Sequence, residues 1–272
     1  MAVKGACAIQ VDLETAAMDL HSGLFGGAVP NAVHALVELL STLRDRDGRI
    51  LVKGFFDTVA PLSADARRAI NAVPFDADAY KAEIGIDALV GEPGYSTHER
   101  AWARPTLEIN GIWGGYQGDG VKTVIPAKAH AKITCRLVAD QDPEEVVDRL
   151  EAHFKSHSPA GARVAVVRTG LKARPYQIPP GHPGVKVLAE VLEESYARAP
   201  YLARVGGSLP ITDMFLQELK AYTFMVGFGQ SDERAHSPNE FFRLADYERG
   251  QAVYIRLLEK LGQLQAGSLA AP

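Results

Sequence analysis

Cysteine is scarce. Cys7 and Cys135 are the only two in 272 residues and form no CxxC pair, so there is no disulfide framework on which to build a fold. Each falls in an alternating apolar stretch, so both read as small core residues in a reducing compartment, and a cytoplasmic location is the expectation. No block of like charges occurs and the net charge is −4, so the chain lacks the electrostatic footprint of a nucleic-acid or acidic-membrane partner. No apolar run approaches membrane-spanning length, and the opening Met1-Ala2-Val3-Lys4-Gly5 carries no signal-peptide core. Also missing are the zincin helix motif, the P-loop, the nucleophile elbow and the dinucleotide fingerprint; Gly26-Gly27 lacks the spaced Gly-Lys-Ser/Thr of a phosphate loop.

What is present is a globular composition, 47% hydrophobic and 23% charged, at a length that suits one large or two modest domains. Cys7, Ile9, Val11 and Leu13 alternate with smaller or polar residues, which predicts a half-buried strand. After Leu24-Phe25-Gly26-Gly27, the residues Val33, Leu36, Val37, Leu40 and Leu43 recur at helical spacing until Asp45-Arg46-Asp47-Gly48 stops them. The stretch 54–103 is broken by Pro61, Pro74, Gly91, Pro93 and Gly94, and reads as an excursion with one short helix at 64–72 behind a Ser63 cap.

Strands are predicted at 106–110 and 127–138. In the second, Ala129, Ala131, Ile133, Cys135 and Leu137 share one face while His130, Lys132, Thr134 and Arg136 take the other. Asp142-Pro143-Glu144-Glu145 is a helix start with cap, first-turn proline and capping-box acid, and Ala162, Val164 and Val166 give a last strand. The order strand-helix-strand-strand-helix-strand over 6–168 predicts an α+β domain of ferredoxin-like βαββαβ type, an antiparallel sheet with both helices on one face.

The proline-bearing segment 174–181 is the expected boundary, dividing the chain into 1–174 and 175–272. Beyond it, Val185, Leu188, Leu192 and Tyr196 mark a helix, 221–227 a short buried strand, and Tyr254, Leu257, Leu258, Leu261 and Leu264 a terminal helix. So thin an α/β layer would struggle to bury its own core.

Several residues could carry chemistry. His21 stands where a strand gives way to a glycine-rich turn, and taken locally it reads as readily as a turn or capping histidine. His236 follows a polar loop after a strand end, where α/β proteins place ligands and where ordinary surface histidines also occur. Arg136, on the face opposite Cys135 and Leu137, is free to grip a carboxylate with its guanidinium fork or simply to face water. Gly206-Gly207-Ser208 offers close backbone N–H groups and a hydroxyl to an anion, or a plain tight turn.

Five segments, in this order and approximate spacing, resemble the carnosine-dipeptidase branch of the aminoacylase/carnosine-dipeptidase/glutamate-carboxypeptidase metallopeptidases. They are Asp19-Leu20-His21-Ser22-Gly23-Leu24-Phe25-Gly26-Gly27, Lys122-Thr123-Val124-Ile125-Pro126, Arg136-Leu137-Val138, Gly206-Gly207-Ser208-Leu209-Pro210 and Ala235-His236-Ser237-Pro238-Asn239-Glu240. The resemblance runs from Gly5 to about Leu261. It implies that 1–174 is a lid or dimerisation domain and that 175–272 is the C-terminal segment of an α/β metallopeptidase catalytic domain.

It further implies hydrolysis of dipeptides or acyl-amino acids at a pair of zinc or manganese ions, which polarise the scissile carbonyl and generate the nucleophile. His236 would be a metal ligand. His21 would reach into a partner copy and stabilise the oxyanion. Arg136, Gly207 and Ser208 would hold the substrate carboxylate, with Thr123 adding a contact across a homodimer. Val205 stands where better-known relatives carry glutamate, so no polar contact is implied there. The family's N-terminal histidine-x-aspartate motif, bridging aspartate and paired glutamates have no counterpart upstream of Gly5. The chain is therefore expected to be a fragment that alone neither holds a stoichiometric metal pair nor turns over substrate. The competing expectations are a dimerisation module without catalysis and a small-molecule sensor in which Arg136 grips an amino acid.

Overall fold

The computed structural model describes every residue except Met1, Pro180, Ala235, His236 and Pro272. The chain divides into two compact units, Ala2–Tyr176 with Arg204–Pro210, and Gln177–Ala203 with Ile211–Pro272.

The first unit is organised by two ten-residue strands. Strand β1 (Gly5–Glu14) continues to a short strand β2 (Leu20–His21) and a one-turn helix at Ser22–Phe25. Helix α1 (Ala32–Ser41) starts where the Asn31 side chain accepts from the N–H groups of Val33 and His34. The 54–103 excursion holds three helices: α2 (Ala64–Asn71), α3 (Ala77–Ile84) and α4 (Thr97–Ala103). Strand β3 (Thr106–Gly114), short β4 (Val124–Ile125), β5 (Lys128–Leu137), α5 (Pro143–Ser156) and β6 (Arg163–Ala173) complete it.

The main sheet has the order β3-β5-β1-β6, with every neighbouring pair antiparallel. β1 and β5 are paired without a break from Gly5↔Leu137 to Glu14↔Lys128. One face of this ladder, including Ile9, Val11, Ile133 and Leu137, forms a single core with Leu36 and Leu39 of α1 and Val147, Leu150 and Phe154 of α5. Both helices therefore lie on the same side. The other face carries Gln10, Asp12, His130 and Arg136, as strand alternation requires.

The excursion is held by a buried carboxylate. Glu99 closes the α4 capping box with Ser96, its side chain is fully buried, and it accepts from Arg67 at 2.7 and 2.8 Å and from Asn71 at 2.9 Å. The Ser96 N–H adds a bond at 2.8 Å. With every lone pair engaged, the ion survives burial.

The second unit contains α6 (Pro183–Tyr196), α7 (Pro210–Leu219) and α8 (Leu244–Leu261). Val187, Leu188 and Val191 of α6 pack with Val253 and Leu257 of α8, and Phe224, Val226 and Phe228 lie against them. The expected strand at 221–227 is not formed: its one ladder bond is an isolated bridge, Ala221↔Ala270. Its alternating side chains still pack, but among the described residues no neighbouring strand forms a ladder with it. Helices α3, α4 and α7 were not expected from periodicity, although Asp76 and Ser96 cap the first two with side-chain bonds.

The Glu99 network sets a prediction. Its bonds to Arg67, opposed by burial and aided by the Ser96 N–H and Asn71, hold the carboxyl at about 2, well below its ordinary 4.5. The stabilisation is complete above about pH 4.5 and is lost as pH falls toward 2. Glu99→Ala should lower unfolding free energy by about 3 kcal/mol at pH 7, and the difference from the unaltered protein should shrink through that acid window in denaturant titrations. A constant difference from pH 7 to 2.5 would contradict it.

Candidate functional site

Two groups of candidate residues form, at opposite ends of the β1–β5 ladder. At the first end β2 pairs with β4, placing His21 across from Val124 and beside Thr123. The Thr123 carbonyl accepts from the Ser22 N–H at 3.1 Å, and the Asp19 carboxylate accepts from the Ala127 N–H at 2.9 Å. The His21 ring is exposed, and its Nδ1 accepts from the Gly23 N–H at 3.0 Å. A neutral imidazole that accepts at Nδ1 carries its proton on Nε2. The backbone thus selects the tautomer and presents an outward N–H donor.

At the other end Arg136 pairs with Ala6 of β1 and Thr106 of β3. Its Nη1 donates to Ser208 Oγ at 2.7 Å, and that hydroxyl donates to the Gly5 carbonyl at 3.0 Å. The segment 205–208 is stitched along the start of the chain: the Val205 N–H donates to the Ala2 carbonyl at 2.8 Å, and the Lys4 N–H to the Gly207 carbonyl at 3.0 Å. Gly206 is required here because a Cβ would lie 2.8 Å from the Ala101 carbonyl of α4. Arg136 has no ion pair with a carboxylate among the described residues, so its exposed fork is available to an anion.

Lys4 was not anticipated from sequence. Only 3% of it is exposed, and its ammonium donates to the Arg100 carbonyl of α4 at 3.2 Å. Burial first, then the Arg136 charge, and less strongly that of Arg104, pull its pKa from 10.5 to about 8, against an opposing pull from Glu108. A lysine one residue before a glycine, at a strand's start, looks like a surface residue; the packing of α4 and 205–208 around it comes from distant sequence.

The two ends are well separated. From Lys128 to Arg136 the strand covers about 26 Å at roughly 3.3 Å per residue, and His21 and Thr123 lie beyond the Lys128 end. An extended dipeptide spans only about 7 Å. Within one chain no dipeptide touches both groups.

His236, the candidate metal ligand, lies outside the described residues. Among those described, no group of three or more His, Cys, Asp or Glu side chains is placed to hold a metal ion. They do not by themselves fit a metal pair. None of the described helices is long and apolar enough to cross a membrane.

Comparison with known proteins adds to this geometry. The family model described as the peptidase dimerisation domain of M20 peptidases matches residues 2–162. The chain is similar to the Cys-Gly metallodipeptidase of Schizosaccharomyces pombe, 30% identical over 264 residues that cover 96% of this chain and 56% of that protein. It is similar to the human Beta-Ala-His dipeptidase, 26% identical over 96% of this chain and 52% of that one. Among solved structures, an M20 family metallo-carboxypeptidase from Sulfolobus solfataricus superposes with a TM-score of 0.82 at 28% identity, covering 95% of this chain and 59% of that one. The chain spans about half the length of the curated relatives it matches.

The buried ammonium sets a second prediction. Between about pH 8 and 10.5 the unfolded chain binds the Lys4 proton more tightly than the folded one, so folding is penalised below this window and relieved as pH rises through it. In chemical denaturation the unaltered protein should gain on Lys4→Met by on the order of 3 kcal/mol from pH 7.5 to 10.5. A gap that does not move with pH would show that Lys4 is not held as described.

Proposed function

This chain belongs to the M20 peptidase family, in its carnosine-dipeptidase branch, and from that premise we propose that it serves metal-dependent hydrolysis of dipeptides or related acyl-amino acids as part of a homodimer. The observation that carries the reading is the placement of His21 and Thr123 at one end of the sheet and of Arg136 and Ser208 at the other. Two half-sites that one small substrate cannot bridge within a chain become one site when a second copy supplies the other half. The dimerisation-domain match to 2–162 supports the same arrangement. The strand order β3-β5-β1-β6 with both helices on one face supports reading this domain as ferredoxin-like.

In this composite site Arg136 takes the substrate's C-terminal carboxylate in a two-point grip, with Ser208 fixing the guanidinium against Gly5 and Gly207 leaving the approach open. His21 of the other copy donates from Nε2 to the oxygen on which charge develops, a contribution of about 10²–10³ in rate for donors of this kind. Thr123 lies beside it as a further substrate contact. Zinc or manganese would supply the activated water; His236 is the one residue of this chain proposed to bind it. The metallodipeptidase relatives support the metal requirement. A reducing, cytoplasmic setting belongs to the same proposal, supported by Cys7 and Cys135, which face each other across β1 and β5 as free thiols.

The test has two arms. Sedimentation at tens of micromolar, where a standard-sized specific interface is occupied, should give a dimer; a clean monomer would remove the composite site. Titration with Cys-Gly and with its C-terminal amide should favour the free acid by about tenfold, as expected of an exposed charge-assisted pair, and Arg136→Ala should erase the preference. Equal binding of acid and amide by the unaltered protein would take Arg136 out of that role.

A further inference from the structure

The region around Arg136 contains a second cation that an ordinary structural role leaves underused. Lys4 is buried to within 3% of its surface, yet its ammonium, with three protons to donate, has one acceptor among the described residues, the Arg100 carbonyl. Among the described residues no carboxylate forms an ion pair with it. Its backbone N–H meanwhile holds the Gly207 carbonyl, and the next residue, Gly5, takes the Ser208 hydroxyl that Arg136 engages. Lys4, just before β1, and Arg136 of β5 therefore lie around one loop, two cations with no acid in contact among the described residues. Burying such an ammonium is unfavourable unless something compensates it. The missing element is a negative charge.

We propose that Lys4 is the buried second cation of the carboxylate-anchoring site: it positions the 205–208 loop against α4 and draws the anion to Arg136 through its charge, so that anchoring strength follows the protonation of Lys4. The inference rests on the reading of Arg136 as a carboxylate anchor. Lys4 does not touch the ligand and is a positioning residue, acting through Arg136 and the loop. The charged groups around it are Arg136 from β5, Glu108 from β3, and Arg104 just beyond α4. Arg104 is already neutralised by a bidentate pair with Glu92 at 2.7 and 2.9 Å. Glu108 pairs with Arg44 at 3.7 Å. Glu108 therefore offsets only part of the Lys4 charge, and it makes no ion pair with the ammonium.

The consequence is a reciprocal linkage. Burial, and after it like-charge repulsion from Arg136, hold Lys4 near 8; a carboxylate bound at Arg136 cancels part of that repulsion and makes Lys4 easier to protonate. The protonated form must then bind the carboxylate more tightly by the same factor.

The test uses the full chain and N-acetylglycine as probe, followed by NMR shifts of the Arg136 side chain, with Arg136→Ala as the control for site-specific binding. Affinity should fall about three- to tenfold between pH 7 and 10, the factor that a shift of up to about one pH unit in Lys4 produces. Lys4→Arg, which stays charged throughout, should bind with no such fall. Lys4→Met should bind about three- to tenfold more weakly at pH 7, also without pH dependence. A measurement without substitution stands beside these: the Lys4 Cε resonance should titrate at higher pH when N-acetylglycine is present.

A lysine that only caps α4 would alter stability and leave these profiles flat. Affinity that does not change with pH in the unaltered protein, a fall that persists in both variants, or a Lys4 titration unmoved by the probe would overturn the proposal while leaving Arg136 as anchor. Shifts that are the same in Arg136→Ala at every pH would overturn the anchor reading itself, and this one with it.

Discussion

The unbroken pairing of β1 with β5, from Gly5↔Leu137 to Glu14↔Lys128, is the constraint on which the first unit depends. Because side chains alternate along a strand, the ladder commits Ile9, Val11, Ile133 and Leu137 to the helix side and Asp12, His130 and Arg136 to the other. A slip of one residue would put the acids and bases into the core and the aliphatic residues into water. The same ladder acts as a ruler. Its ends carry Arg136 with Ser208, and His21 with Thr123, and its length keeps these groups apart in one chain. Core formation and the separation of the two groups are thus one geometric fact.

Two buried charges show how differently the fold treats ions. Glu99 is surrounded by Arg67, Asn71 and the Ser96 N–H, and its carboxyl is held far below its usual range. Lys4 has one carbonyl and two neighbouring arginines, and its pKa also falls. The two falls mean different things: at Glu99 the partners overcome burial and favour the charged form, whereas at Lys4 burial first, and then Arg136, disfavour it. A satisfied ion is a structural clamp. An unsatisfied one beside an open guanidinium marks a place where a charge from outside is wanted.

Much of the architecture was legible because its signals were local. Period-two alternation located β1 and β5, and Asp142-Pro143 announced α5, since those patterns depend only on neighbours in sequence. The outward placement of Arg136 followed from the apolar Cys135 and Leu137 beside it. Contacts over long separations were not legible from local pattern: only the family resemblance brought Ser208 together with Arg136, 72 residues away, and nothing pointed to Lys4, which is buried by segments far along the chain. Local pattern also misled at 221–227, where Tyr222, Phe224 and Val226 alternate like a strand but the described residues form only an isolated bridge, Ala221↔Ala270. Ladder bonds need a partner, and a strand-like sequence says nothing of where that partner is.

The 54–103 excursion, which reads in sequence as a proline- and glycine-broken detour, is what the Arg136 end of the sheet leans on. Helix α4 is fixed at its start by the Ser96–Glu99 box and its ties to Arg67 and Asn71. Its last turn then offers carbonyls with no helical partner. Arg100 gives its carbonyl to the Lys4 ammonium, and the Ala101 carbonyl lies so near Gly206 that no side chain fits there. A helix C-terminus carries partial negative charge, which favours a cation at that position, so α4 can hold a lysine that the neighbouring Arg136 repels. Rigidity at one end of this short helix becomes placement at the other. The loop bearing Ser208 owes its position to residues whose one local motif, the Ser96–Glu99 capping box, gives no hint of that loop.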